Sequence, residues 1–131
     1  MLFRSIGVDA IGADLSRSKM TWIRTIGANL MGANLHRAVA IEALMTGAIL
    51  DRADLSRACL IGTDLVGAKL IGTDLREANL LGANFSSANL TDALTENANF
   101  KDANLSGATL SHQTIVALSQ FRRDRHTRDT A

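Results

Sequence analysis

The stretch Ala83-Asn84-Phe85-Ser86-Ser87-Ala88-Asn89-Leu90 restarts its own pattern after five residues, and Ala53-Asp54-Leu55-Ser56-Arg57 follows the same pattern. In each unit the first and third residues are apolar and the second is polar. That is the alternation of a strand, which turns Ala and Leu inward together and the Asn or Asp outward. Two more residues, commonly a polar one and Gly, then turn the chain; Gly in the last place suits a corner that needs positive φ. A helix requires apolar spacings of three and four, and strict fives drift around its surface, so helix is excluded as the organising element.

Working outward, the same clock runs for about a hundred residues without an insertion or deletion. All ten glycines fall at numbers ending in 2 or 7. From Ala13 to Ala108, positions ending in 3 or 8 are Ala in sixteen of twenty cases. From Leu15 to Leu110, positions ending in 5 or 0 are Leu in thirteen of twenty, with Met or Phe in most of the rest. An internal repeat this regular fixes the architecture before any other feature does. A short strand plus a corner, always turning the same way, winds into a solenoid whose coils stack at sheet spacing, ~4.8 Å. Small Ala brings the wall close to the axis while Leu or Phe fills the lumen, which leaves no central room for a ligand or a pore.

The composition agrees. Of 131 residues, 47% are hydrophobic but only 4% aromatic, so the core is built from small and aliphatic side chains in layers. There is no proline, as expected where nearly every backbone donor is used in regular pairing. No run of eighteen apolar residues is present, so a membrane is not an expected partner. Met1-Leu2-Phe3-Arg4-Ser5 lacks the apolar run of a secretory signal, and the single Cys59 forms no internal disulfide. Both favour a cytoplasmic location. Residues 1–112 carry ten Lys/Arg and eleven Asp/Glu, and the last nineteen carry four Arg and two Asp: a balanced body with a mildly basic tail.

The recurring Ala13-Asp14-Leu15, Ala28-Asn29-Leu30, Ala33-Asn34-Leu35, Ala78-Asn79-Leu80, Ala88-Asn89-Leu90 and Ala103-Asn104-Leu105 resemble the A-(D/N)-L-x-x unit of the pentapeptide-repeat family, over roughly residues 8–112. The resemblance implies an all-β fold, a right-handed quadrilateral β-helix with four pentapeptides per coil. The sequence carries a matching echo at twenty: Gly7, Gly27, Gly47, Gly67 and Gly107 share one corner, interrupted by Ser87. Twenty units from 13 to 112 then make about five coils. Leu55, Leu60, Leu65, Leu70, Leu75, Leu80 and Phe85 are the expected centre of the core.

Departures are confined. Ile23 and Thr25 replace the usual inward pair beside Trp22, Ala40 and Thr95 are small where Leu is expected, and Val39, Leu44, Ile49 and Leu94 stand at the Asn/Asp place. Thr63 and Thr73 replace Ala, and their hydroxyls are expected to bond nearby backbone, since an unsatisfied buried hydroxyl is costly. The expected division is 1–112 for the β-helix and 113–131 for a short capping helix and a basic flexible tail. Ser111 is placed to N-cap that helix, with Ile115, Val116, Leu118 and Phe121 as its lid onto the last coil. The N-terminal end has no comparable cap and is a candidate for end-to-end homodimerisation.

Folded at twenty, the sequence stacks Arg17, Arg37 and Arg57 on one corner that never carries Gly, followed by Glu77 and Asn97. Asp14, Asn34, Asp54 and Asp74 form the column beside it, so two ladders neutralising one another on a solvated face compete with an Arg ridge offered to an anionic partner. Ile41, Ile61 and Leu81, with Val39 alongside, form an outward stripe that is a candidate lateral dimer contact. The glycine corner is where backbone geometry is expected to rule, and the glycine-free corner is where a partner is sought. His36, His112, His126 and Cys59 offer no metal-ligand spacing, and no catalytic constellation or cofactor site is expected. The expected function is therefore a non-enzymatic scaffold for protein interaction. The alternative implied by the resemblance is mimicry of DNA toward gyrase or another topoisomerase. That mechanism needs a strongly acidic surface, which eleven acids against ten bases do not make. Direct nucleic-acid binding is disfavoured for want of stacking aromatics and a positive surplus.

Overall fold

The computed structural model describes residues 7–116 and 118–119. Every parallel bridge joins a residue to the one twenty places on, from Asp9 with Asn29 to Asn84 with Asn104. Bridges recur every five residues, so one lap of twenty has four sides, and the chain winds as a β-helix. Only the last pairing extends to two residues, between strands β1 (Asn89–Leu90) and β2 (Thr109–Leu110). Each side is thus narrower than the three-residue strand that the alternation suggests. The reason is local: of five residues, two form the corner and only the middle one sits squarely between neighbouring coils.

The unit Ala53–Arg57 accounts for its five amides one by one. Ala53 N–H donates to Leu50 O at 3.0 Å and closes the preceding turn. Asp54 N–H donates to Ala33 O in the coil before, 2.9 Å away. Leu55 N–H and Arg57 N–H donate to Asp74 O and Arg76 O in the coil after, at 2.8 and 2.9 Å. The remaining amide, Ser56 N–H, has no backbone partner and donates to Asp54 Oδ1 at 2.9 Å. The last bond explains a residue choice that strand alternation leaves open. All twelve Asn and Asp residues at the mid-side position, Asp9 to Asn104, accept the amide two residues ahead through Oδ1, at 2.9–3.3 Å. The side chain points outward and bends back as an Asx turn, satisfying the one donor that the ladder cannot reach. Where Lys69 holds that position, Asp51 of the preceding coil caps Ile71 N–H instead, at 2.9 Å. Val39, Leu44 and Leu94 have no such oxygen.

The corners depart from expectation. Eleven non-glycine residues at the last place of the unit, Arg17, Arg37 and Arg57 among them, have φ of 54–62°, beside 65–70° for the ten glycines. The glycine-free corner is therefore as left-handed as the glycine corner. Backbone geometry rules both, and only the strain on a β-carbon differs. The turn demands this sign, with its third residue left-handed and its fourth donating to the first, as Ala13 N–H does to Ala10 O.

From Ala28 to Phe100 the lumen is filled by buried side chains. Leu55, Leu60, Leu65, Leu70, Leu75, Leu80 and Phe85 are all buried, with Ala33, Ala53 and their equivalents forming the wall. Thr63 Oγ1 donates to Ala40 O at 2.6 Å and Thr73 Oγ1 to Leu50 O at 2.7 Å, each at a wall position where the hydroxyl reaches a carbonyl of the preceding coil.

At the C-terminal end residues 112–116 and 118–119 are helical. Ser111 Oγ lies 3.0 Å from Thr114 Oγ1 and accepts Thr114 N–H at 3.4 Å. Leu118 packs on the core, but Thr114 is the fully buried residue, while Ile115 and Val116 are about half exposed (49% and 48%). The lid is therefore narrower than the apolar spacing suggests. Phe121 and the basic tail lie outside the described residues, as do the first six.

Candidate functional surface

No group of His, Cys, Asp or Glu that could hold a metal occurs among the described residues. No helix among them is long and apolar enough to cross a membrane. Chemistry must therefore be sought on the outer sides. Because the backbone alternates, the mid-side residue and the second residue after it point out of the same side.

One side carries Asp54 and Ser56 with their equivalents. Its polar groups are engaged with one another: Ser16 Oγ donates to Asp14 Oδ1 at 2.7 Å, Ser56 Oγ bonds Asp54 Oδ1, and His36 Nδ1 lies 2.8 Å from Ser56 Oγ. The chain of contacts runs carboxylate–hydroxyl–imidazole, with the hydroxyl in the middle. In that order the serine hydroxyl points its proton at the Asp54 carboxylate and meets the imidazole with its oxygen, so the three groups form a ladder of contacts along the side. The expected neutralisation of the Arg17–Arg37–Arg57 column by the Asp14–Asp54–Asp74 column is not what forms. Asp14 and Asp54 hold serines, Arg57 pairs with Glu77, and Arg76 pairs with Asp74 at 2.7 Å. These are the two ion pairs among the described residues, and they leave the lower ridge, Arg17 and Arg37, exposed and without an acidic partner.

The hydrogen bond from Arg76 is the largest influence holding the Asp74 carboxyl below its ordinary value; burial opposes it, while the Arg76 amide and nearby positive charge add to it. Asp14 is lowered by the Ser16 hydroxyl first and the Ser16 amide second. A carboxyl depressed in the folded state gives stability that is complete above its unfolded value, ~3.9, and is lost as pH falls through the folded value. Asp74→Asn removes the charge but keeps the Oδ1 cap, whereas Asp74→Ala removes both. The melting deficit of Asp74→Asn is therefore expected to hold steady down to about pH 4 and to close only as the pH falls further, through the lowered folded value, while Asp74→Ala stays a further ~1 kcal/mol lower throughout. A deficit of Asp74→Asn that is flat with pH would dismiss the charge contribution.

The adjoining side is the most apolar. Val39, Ile41, Cys59, Ile61 and Leu81 are half-buried and contiguous across three coils. One corner beside them is the arginine column; the other carries Trp22, Glu42, Gly62 and Gly82. Trp22 is 63% exposed with φ 62°, a strained setting for a bulky residue, and its Nε1 donates to Glu42 Oε2 at 2.9 Å. The sequence reading marked the stripe and the ridge separately and noted Trp22 only as a departure. The geometry joins all three on one side. At the N-terminal end, Leu15, Met20, Ile23, Leu30 and Met45 line an apolar pocket of about 260 Å³, into which the buried Thr25 hydroxyl brings no hydrogen-bond partner.

The family model for pentapeptide repeats matches in eight copies, over residues 28–65, 63–94 and 83–112. The chain belongs to the pentapeptide-repeat family, whose members fold as β-helices. Among solved structures, alr5209 from Nostoc PCC 7120, a pentapeptide-repeat protein, is 32% identical over 78% of this chain and 84% of its own, with a TM-score of 0.67. HetL from Nostoc sp. strain PCC 7120, involved in heterocyst differentiation regulation, is 32% identical over 83% of this chain, which spans 65% of HetL, with a TM-score of 0.47. QnrB1, a plasmid-mediated fluoroquinolone resistance protein, is 20% identical over 82% of this chain and 72% of its own, with a TM-score of 0.53, a likeness of fold alone. No curated protein matches the sequence.

Proposed function

We propose that the chain is a non-enzymatic scaffold: a right-handed quadrilateral β-helix of about five coils, with the helix after Ser111 as its C-terminal cap, that presents side-chain ladders to a protein partner. Right-handed winding is the hand that connections between parallel strands almost always take. The observation that carries the functional reading is the one side on which Val39, Ile41, Cys59, Ile61 and Leu81 lie between an arginine corner and the Trp22–Glu42 corner, while the polar groups of the neighbouring side hold one another. Trp and Arg flanking an apolar patch are the residue types that anchor protein interfaces. A reducing, cytoplasmic setting fits the single cysteine.

The test is affinity capture with the full chain and with Arg17, Arg37 and Arg57 changed together to Gln, which leaves the corner strain as it was. Loss of a specifically captured protein supports the ridge as an interface. Persistence of every captured protein removes the ridge from the reading. The QnrB1 likeness keeps one alternative in view, DNA mimicry toward gyrase, although the near-balanced charge of residues 1–112 opposes it. Unchanged gyrase supercoiling at micromolar protein would remove that alternative.

A further inference from the structure

The edges of the apolar side differ from one another in sign and in bulk, coil by coil. On one corner stand Arg17, Arg37, Arg57 and Glu77; on the other, at the same heights, Trp22, Glu42, Gly62 and Gly82. Arg37 and Glu42 form no ion pair within the chain, since the side lies between them, and Arg57 is bound to Glu77 along its own corner. Such edges cannot satisfy each other in one molecule. They do so in two. We propose that this side is a homodimer interface, in which a second copy lies alongside and parallel, related by a two-fold axis running along the stack.

That operation brings the arginine corner of each copy against the tryptophan–glycine corner of the other. Arg17 then faces Trp22 of the second copy, a cation over an indole. Arg37 faces Glu42, a charge pair made twice. The bulky Arg57–Glu77 pair lies over the flat Gly62 and Gly82. Between the edges, Val39 meets Ile41 and Cys59 meets Ile61, again twice each, so the stripe closes on itself as an isologous contact must. The other two-fold arrangement, with the rods antiparallel, sets Arg57 against Arg57 and Trp22 opposite Asp102, and turns Arg37 toward Glu77, whose carboxylate Arg57 already holds; it offers Trp22 no cation and Arg37 no free acid, which disfavours it. Ten outward side chains and five residues on each bordering corner reach only the low end of the ~20–30 residues a side of a standard interface, so the dimer is expected to be weak and concentration-dependent. The inference rests on the scaffold reading above and names its partner.

Sedimentation velocity of the full chain across a concentration series is expected to show a monomer–dimer equilibrium. Ile61→Glu, at a half-exposed position outside the lumen, should raise the dissociation constant by ~tenfold or more, because two carboxylates would be buried unpaired. Arg37→Glu and Glu42→Arg should each weaken the dimer, and the two together restore it; a folding defect would not be rescued in this way. Orientation is read with single-cysteine variants on a Cys59→Ser background and a short bismaleimide. Lys19→Cys and Lys101→Cys should each crosslink to itself in parallel rods. In antiparallel rods only a mixture of the two would react, the like ends lying ~19 Å apart along the stack. A chain monomeric at every concentration, a dimer indifferent to Ile61→Glu and to the charge swap, or crosslinking only in the mixture would each overturn the proposal. None of these outcomes touches the capture experiment, so the dimer can fail while the scaffold reading stands.

Discussion

Phe85→Ala is expected to lower the stability of the chain by ~3–5 kcal/mol, measured as the shift in a reversible thermal or denaturant melt. Phe85 is fully buried, and its ring centre lies 6.0 Å from that of Phe100, inclined by 50°. Part of the cost is the lost transfer of the ring and part is the cavity it leaves. The cavity term should be large here, because the wall cannot collapse. Phe85 N–H donates to Asn104 O at 2.7 Å, Asn84 N–H to Thr63 O at 2.9 Å and Ala88 N–H to Phe85 O at 3.0 Å, so the backbone on this side is pinned above, below and at its corner. Phe85→Leu should cost under ~1.5 kcal/mol, since the repeat already accepts Leu at the equivalent place on every side. An alanine variant melting with the parent would mean that the lumen is not close-packed at this level.

Lys69→Pro is expected to destabilise by ~3 kcal/mol or more, against almost nothing for Lys69→Ala. The lysine side chain is exposed, so the pair of variants isolates the backbone. Lys69 N–H donates to Ala48 O at 2.9 Å, and its carbonyl accepts from Leu50 N–H at 2.7 Å. Proline deletes the first of these bonds and crowds the second, at a place where the backbones of two coils are joined by such bridges. In a fold held by nearest-neighbour contacts the damage should be local, loosening one junction while the coils on either side keep their own lumen. Amide exchange is the discriminating measurement: protection should fall for donors at Lys69's own junction and persist in the coil of Leu35 and Ala38. Equal stability of the proline and alanine variants would mean that the bridge contributes little.

Much of this was legible before any coordinates. The inward phase of Ala and Leu, the burial of Leu55 through Phe85 and the echo at twenty follow from periodicity, because a close-packed lumen tolerates only one side-chain size at each place. Two features were not legible in that way. The Asx turns use a bond between a side chain and the amide two residues ahead, which alternation reads merely as a polar residue pointing out; twelve Asn or Asp at one phase, with no Ser or Glu among them, was the available signal. The left-handed corners of Arg17, Arg37 and Arg57 are hidden in the sequence because glycine marks only the corners where strain is relieved, whereas the turn imposes positive φ on any residue there. The site was harder still. The columns can be ordered by folding the sequence at twenty, but the bond from Trp22 to Glu42 and the pairing of Arg57 with Glu77 rather than with an Asp depend on side-chain positions that spacing does not carry.

The bridging of each residue to one twenty places on also governs how such a chain can change over generations. Gain or loss of five residues keeps every Ala and Leu inward, so the lumen survives, but all coils beyond the event rotate by one side. Leu81 would leave the side that holds Ile41 and Ile61, and a different residue would take its place. Ten residues carry the surface to the opposite side, as with Leu60–Leu65 and the near-identical Leu70–Leu75, which display one motif in two directions. Only whole laps of twenty lengthen the rod with its columns intact. Single-repeat duplication is thus a way of shuffling an exterior while the interior is inherited unchanged, and descendants of one ancestor can share a lumen yet have no surface column in common.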